Sequence, residues 1–133
     1  MVPGSSLRVL LVEDDERVRR TLHRLLERSG CRVTAADSVP AACDCIDAAT
    51  FDVIVCDYHL GFRTGTEVAA AARRRWPGVP FLLLSGTVTD LEPNLEPGIR
   101  QLRKPIDGRT LVAELRASVG ERVPVASERL SAA

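Results

Sequence analysis

Long apolar runs are missing from this chain of 133 residues. None approaches the ~20 residues with which a helix spans a bilayer, so no membrane contact is expected. The opening MVPGSS lacks the charged and apolar regions of a secretory signal. A surplus of either charge is missing too. Eighteen basic and 18 acidic residues leave a net charge of zero, which gives no reason to expect direct binding of nucleic acid. The four cysteines, Cys31, Cys43, Cys45 and Cys56, show no CxxC spacing. Buried free thiols in a reducing, cytoplasmic setting explain them better than disulfides or zinc. Lysine is almost absent: 17 of the basic residues are arginine, and Lys104 stands alone.

What is present is a globular domain, with 45% hydrophobic against 27% charged residues. Residues 1–6 read as a flexible start, 7–119 as one folded domain and 120–133 as a polar, frayed tail. Leu7 to Val12 is an apolar strand that runs into Glu13, Asp14 and Asp15. Asp15 caps a helix in which Val18, Leu22, Leu25 and Leu26 recur at helical spacing, and Gly30 stops it. Cys31 to Ala35 is a weaker strand, and Ser38 caps a helix of small residues to about Ala49, with Pro40 in its first turn.

The strand Val53-Ile54-Val55 is β-branched throughout, as a strand buried on both faces should be, and it leads to Asp57. A loop from Tyr58 to Gly65 follows, then a helix from Thr66 to Arg75, with Thr64 and Glu67 at capping-box spacing. Phe81 to Leu84 is a fourth strand ending at Ser85-Gly86-Thr87. The proline-rich segment after it predicts one short or distorted helix at most. Ile99 to Arg103 is a short fifth strand ending at Lys104-Pro105. Asp107 caps a last helix carrying Leu111, Val112, Leu115 and Val119.

Strands alternating with helices predict an α/β fold with a parallel sheet covered on both faces. Right-handed crossovers bring every strand's C-terminal end to one edge. Glu13-Asp14, Asp57, Ser85 and Lys104 each end a different strand there. Carboxylates converging on one crevice repel one another unless a cation sits among them. Hard oxygen ligands without clustered His or Cys favour Mg²⁺ (or Mn²⁺). Asp57 is then an oxygen nucleophile able to accept a phosphoryl group, Lys104 a compact positive charge for its oxygens, and Ser85 a hydroxyl donor. Taken singly, each has a plain structural explanation: a helix N-terminus, a turn, a surface lysine. Their convergence is the signal.

Four stretches in order, VED at 12–14, CDYHLG at 56–61, LSGT at 84–87 and RKPI at 103–106, resemble the receiver domains of two-component response regulators. The resemblance covers about residues 7–119, and its details look most like the receivers of hybrid sensor histidine kinases. It implies a doubly wound, flavodoxin-like (βα)₅ fold with strand order 2-1-3-4-5. It implies that Asp57 is the phosphoacceptor, that Asp14 ligates Mg²⁺ directly and Glu13 through water, and that the backbone carbonyl of His59 is a third ligand. Ser85 would be the switch hydroxyl and Lys104 the phosphoryl-binding cation, with a cis peptide before Pro105. The expected partner is a histidine kinase or a histidine phosphotransfer protein, docking at Val18, Pro105 and Ile106.

The domain would catalyse its own phosphorylation and slow autodephosphorylation, with the side chains of His59 and Thr87 tuning the rate. Two departures from the family stand out. Lys104 follows Ser85 by only 19 positions, and Gln101 occupies a place that is often aromatic. Two other readings compete. One is a receiver-like binding module that signals without phosphorylation. The other is a metal-dependent phosphatase with an aspartate nucleophile, against which stands His59 where the haloacid-dehalogenase type needs a second aspartate.

Overall fold

The computed structural model describes residues 6–86 and 98–120. Their elements are β1 (Arg8–Val12), α1 (Glu16–Arg28), β2 (Arg32–Ala36), α2 (Val39–Ala48), β3 (Val53–Asp57), β4 (His59–Leu60), β5 (Arg63–Thr64), α3 (Gly65–Arg75), β6 (Phe81–Ser85), β7 (Ile99–Arg103) and α4 (Gly108–Gly120). Five strands form one parallel sheet in the order β2-β1-β3-β6-β7. With the small β4–β5 hairpin left out of the count, this is the expected order 2-1-3-4-5.

The apolar runs become two-sided strands. Along β1, Val9 and Leu11 face one core while Leu10 and Val12 face the other. The same alternation places Val53 and Val55 opposite Ile54 and Cys56 in β3, and Leu82 and Leu84 opposite Phe81 and Leu83 in β6. Helices α2 and α3 close one face with Val39, Ala42, Ile46, Val68 and Ala72. The other face takes Leu26 of α1 and Leu111 and Leu115 of α4. Each such fully buried Val or Leu contributes about 1.5–3 kcal/mol, so the sheet is the rigid part on which its edge residues are mounted. The edge strand β2 is mostly exposed, which explains its weak hydrophobic pattern.

The helix starts follow the capping chemistry. Asp15 accepts from the backbone N–H of Arg17 and Val18 at 2.9 and 3.1 Å, Ser38 from Ala41 at 3.2 Å and Asp107 from Thr110 at 2.8 Å. Glu67 reaches back to the N–H of Thr64 at 3.2 Å. Gly30, at φ 93°, ends the α1 segment in the left-handed region where a glycine is favoured.

Three expectations need correction. The stretch from Tyr58 to Gly65 is not a plain loop. His59 pairs with Thr64 and Leu60 with Arg63 across a two-residue turn, Gly61-Phe62. Gly61 supplies the positive φ, 66°, that the first position of such a turn requires. Helix α3 begins one residue earlier than expected, at Gly65. All four cysteines are free, but only Cys31 and Cys56 are buried, while Cys43 and Cys45 on α2 are half-exposed. The fourth helical segment, Thr87, the first residues and the tail beyond residue 120 lie outside the described residues. Among the described residues no helix is long and apolar enough to cross a membrane.

Candidate functional site

The C-terminal edge of the sheet gathers the chemistry. Glu13 continues β1, its N–H bonded to the carbonyl of Ala36 at 3.0 Å. Asp57 ends β3, where the next N–H, of Tyr58, is held by Leu84 of β6 at 2.8 Å. Ser85 ends β6, and its carbonyl accepts the N–H of Lys104 at 2.8 Å. Backbone ladders therefore fix these residues relative to one another before any side chain is considered. The Lys104–Pro105 peptide is cis, as the resemblance implied.

The side chains converge. Carboxylate oxygens of Glu13, Asp14 and Asp57 lie within 4.8 Å of one another. The Lys104 ammonium sits 2.6 Å from Asp57 Oδ1 and 3.5 Å from Glu13 Oε1. Glu13 is 2% exposed, Asp57 7% and Ser85 0%, whereas Asp14 faces solvent. Among the described residues the buried Ser85 hydroxyl has no hydrogen-bond partner.

One lysine faces two buried acids, Asp57 and Glu13, and their proton affinities reflect it. Burial raises Asp57 from its ordinary carboxylate value, and the bond and charge of Lys104 oppose this without cancelling it. Burial likewise raises Glu13, opposed by the N–H of Asp15 and assisted by the charge on Asp57. Burial disfavours the charged form of Lys104, yet its bond to Asp57 and the nearby Glu13 hold the ammonium more firmly than usual. Cys56, packed behind Asp57, is pushed far up by burial and is inert as a thiolate.

Other expected residues fall as follows. Val18, Pro105 and Ile106 line one cleft of about 430 Å³ together with Lys104 and Gly86, so the sheet edge and α1 do bring them together. His59 is exposed on β4, its ring edge-on to Tyr58 with centroids 5.0 Å apart. Thr87 lies outside the described residues.

Three residues support the site without having been read from the sequence. Arg19 donates to the carbonyl of Glu13 at 3.0 Å, tying α1 to the acidic turn. The N–H of Gly61 donates to Asp14 Oδ2 at 3.1 Å, which pins the hairpin to the acids. Gly65 approaches β3 so closely that a Cβ there would fall on the carbonyl oxygen of Asp57. Gly61 and Gly65 left a hint, as glycines within the loop and where it meets the helix.

Among the described residues the donor set suits a hard divalent cation: three carboxylates with no His or Cys in the cluster, a surplus of negative charge and a buried hydroxyl without a partner at the same edge. A family model described as the response regulator receiver domain matches residues 9–116. The chain is 34% identical over 124 residues to the transcriptional regulatory protein TcrA of Mycobacterium tuberculosis, a match covering 91% of this chain and 49% of that protein. It thus spans about half the length of the curated relatives that it matches first. Its fold is similar to a response regulator receiver protein from Sinorhizobium medicae, with a TM-score of 0.81 at 24% identity, covering 89% of this chain and 98% of that one. The receiver domain from the hybrid histidine kinase CckA superposes with a TM-score of 0.73 at 28% identity, covering 84% and 98%.

Proposed function

Because this chain belongs to the response regulator receiver domain family, we propose that Asp57 takes a phosphoryl group from a phosphohistidine on a histidine kinase or phosphotransfer protein. The observation that carries the proposal is the position of Asp57: at the end of a fully buried strand, among two further acids and 2.6 Å from the only lysine of the sequence.

The chain's own residues divide the work. An Asp57 oxygen attacks phosphorus in line as the P–N bond to the donor imidazole breaks, and the imidazole leaves with the bonding electrons and takes up a proton. Lys104, already between Asp57 and Glu13, would turn its ammonium to the phosphoryl oxygens, and Ser85 would donate its hydroxyl to one of them. Mg²⁺ (or Mn²⁺) would be held by Asp14 and Asp57, by Glu13 through water and by the carbonyl of His59. When bound, it supplies positive charge against that developing on the phosphoryl oxygens. The four free thiols fit a cytoplasmic setting. The likeness to the CckA receiver supports a place in a phosphorelay.

Incubation with acetyl phosphate and Mg²⁺ tests the function. A phosphoacceptor gains one phosphoryl group and loses it slowly. No mass gain and no phosphate release would leave a receiver-like binding module, and rapid release of many phosphates per chain from added phosphate esters would mark a phosphatase.

Two narrower expectations follow from the same geometry. Val18→Glu places a charge in the cleft beside Lys104 and should slow transfer from a histidine donor several-fold relative to labelling by acetyl phosphate. Equal loss from both donors would indicate damage to the site. His59→Ala should change the lifetime of the aspartyl phosphate several-fold with little change in Mg²⁺ affinity, because only the backbone oxygen would serve as ligand. Autodephosphorylation rates and calorimetry check this, and identical lifetimes would leave the imidazole without a role.

A further inference from the structure

Phe62 is 109% exposed, as open as in an extended chain. Among the described residues the only other exposed large hydrophobic side chain is Val18, at 36%. Single exposed apolar residues are ordinary on protein surfaces and need no explanation by themselves. Phe62 differs in its mounting. It occupies the second turn position of the β4–β5 hairpin, whose strands pair at His59–Thr64 and Leu60–Arg63. The base of the hairpin is closed by Gly65 N–H to the Tyr58 carbonyl at 2.7 Å. Its flank is held by Arg63 to Glu67 at 2.8 Å, and its tip by Gly61 N–H to Asp14 at 3.1 Å. A ring with two side-chain torsions on a pinned turn loses little conformational entropy when it is covered.

Its location names the occupant. Asp57 is 7% exposed, so any donor must press against the rim to bring its phosphorus within about 3–3.5 Å of the attacking oxygen. A protein that carries the phosphohistidine is far wider than this opening and so covers the residues around it. Phe62 follows Gly61, whose amide is bonded to Asp14, and an Asp14 carboxylate oxygen lies within 4.8 Å of one on Asp57. Val18 stands on the first turns of α1, its N–H bonded to the Asp15 carboxylate. The two exposed hydrophobic side chains thus belong to the two segments that border the acids.

We propose that Phe62 is an anchor for the protein phosphodonor, its ring entering an apolar socket beside the donor's histidine. The inference rests on the reading of Asp57 as phosphoacceptor and adds to it the residue that selects a protein donor over a small one. A buried aromatic anchor of this kind supports a loss of about tenfold or more when it is truncated.

The test uses the full chain and its Phe62→Ala and Phe62→Leu variants. Each is labelled by acetyl phosphate and, at short times, by a panel of autophosphorylated histidine kinases. The quantity read is the rate from the fastest kinase divided by the rate from acetyl phosphate. The expected result is a fall of about tenfold or more in that ratio for Phe62→Ala, partial recovery for Phe62→Leu and unchanged thermal unfolding. An unchanged ratio, a parallel fall with both donors, or transfer from none of the kinases to a wild-type chain that acetyl phosphate labels would overturn the anchor while leaving Asp57 as acceptor. Failure of acetyl phosphate to label the wild type would instead overturn the phosphoacceptor reading, and the anchor with it.

Discussion

Asp57→Asn is expected to abolish phosphoryl uptake altogether, from acetyl phosphate as from any protein donor. The amide oxygen is a poor nucleophile and cannot hold the acyl phosphate, and no other carboxylate shares its position. Glu13 is buried behind the turn with one oxygen accepting the N–H of Asp15 at 3.1 Å, and the Asp14 carboxylate is held by Gly61. The variant should fold. Asparagine has the same shape, and the carboxylate it replaces is disfavoured by its own burial, while Lys104 keeps Glu13 as a partner at 3.5 Å. Labelling and far-UV circular dichroism on the same sample check both halves. A folded Asp57→Asn protein that still takes up one phosphoryl group would place the chemistry elsewhere.

Gly65→Ala is expected to be the most damaging single methyl group near the site. Its Cβ would fall on the carbonyl oxygen of Asp57 and come within 2.8 Å of Leu83 Cδ1 and 3.0 Å of Cys56 Sγ. The first of these is backbone of the central strand and cannot turn aside as a side chain could. Either α3 lifts away from β3 or the end of β3 shifts, and Asp57 moves with it. Overpacking of this kind costs about 1–3 kcal/mol, and the backbone contact places this case at the upper end. The melting temperature should fall on the order of 10 °C. Phosphorylation by acetyl phosphate should slow more than stability alone explains, because a shift of about 1 Å in an attacking group costs on the order of 100-fold. Thermal unfolding and initial labelling rates of the folded fraction measure the two effects. An unchanged melting temperature and rate would mean that α3 has room to yield.

The sheet was legible because its strands are buried on both faces and therefore appear as continuous apolar runs. Its order could be assigned once the four motifs were taken together, since periodicity alone does not order strands. Glu13, Asp57 and Ser85 were legible for a related reason: each follows directly on an apolar run, where a change from hydrophobic to polar marks the strand end. Lys104 was legible instead as the one lysine in a sequence that uses arginine at every other basic position. The β4–β5 hairpin was not. Strands of two residues are too short to show alternation, and only Gly61 hinted at a turn. Phe62 escaped attention because an aromatic residue between Gly61 and Arg63 looks the same in sequence whether it packs inward or stands in solvent. Arg19 was hidden among five arginines of α1, and nothing in its spacing distinguishes the one that reaches the Glu13 carbonyl.

As proposed, the phosphoryl group rests on Asp57 and its transfer needs a divalent cation held by Asp14, Asp57 and Glu13. Borohydride converts an aspartyl phosphate to homoserine, so reduction after brief exposure to acetyl phosphate, followed by peptide sequencing, reads the site directly. Homoserine is expected at position 57 and nowhere else when Mg²⁺ is present, and none when a chelator replaces it. Homoserine at another aspartate, or equal yield at position 57 in the presence of the chelator, would contradict it.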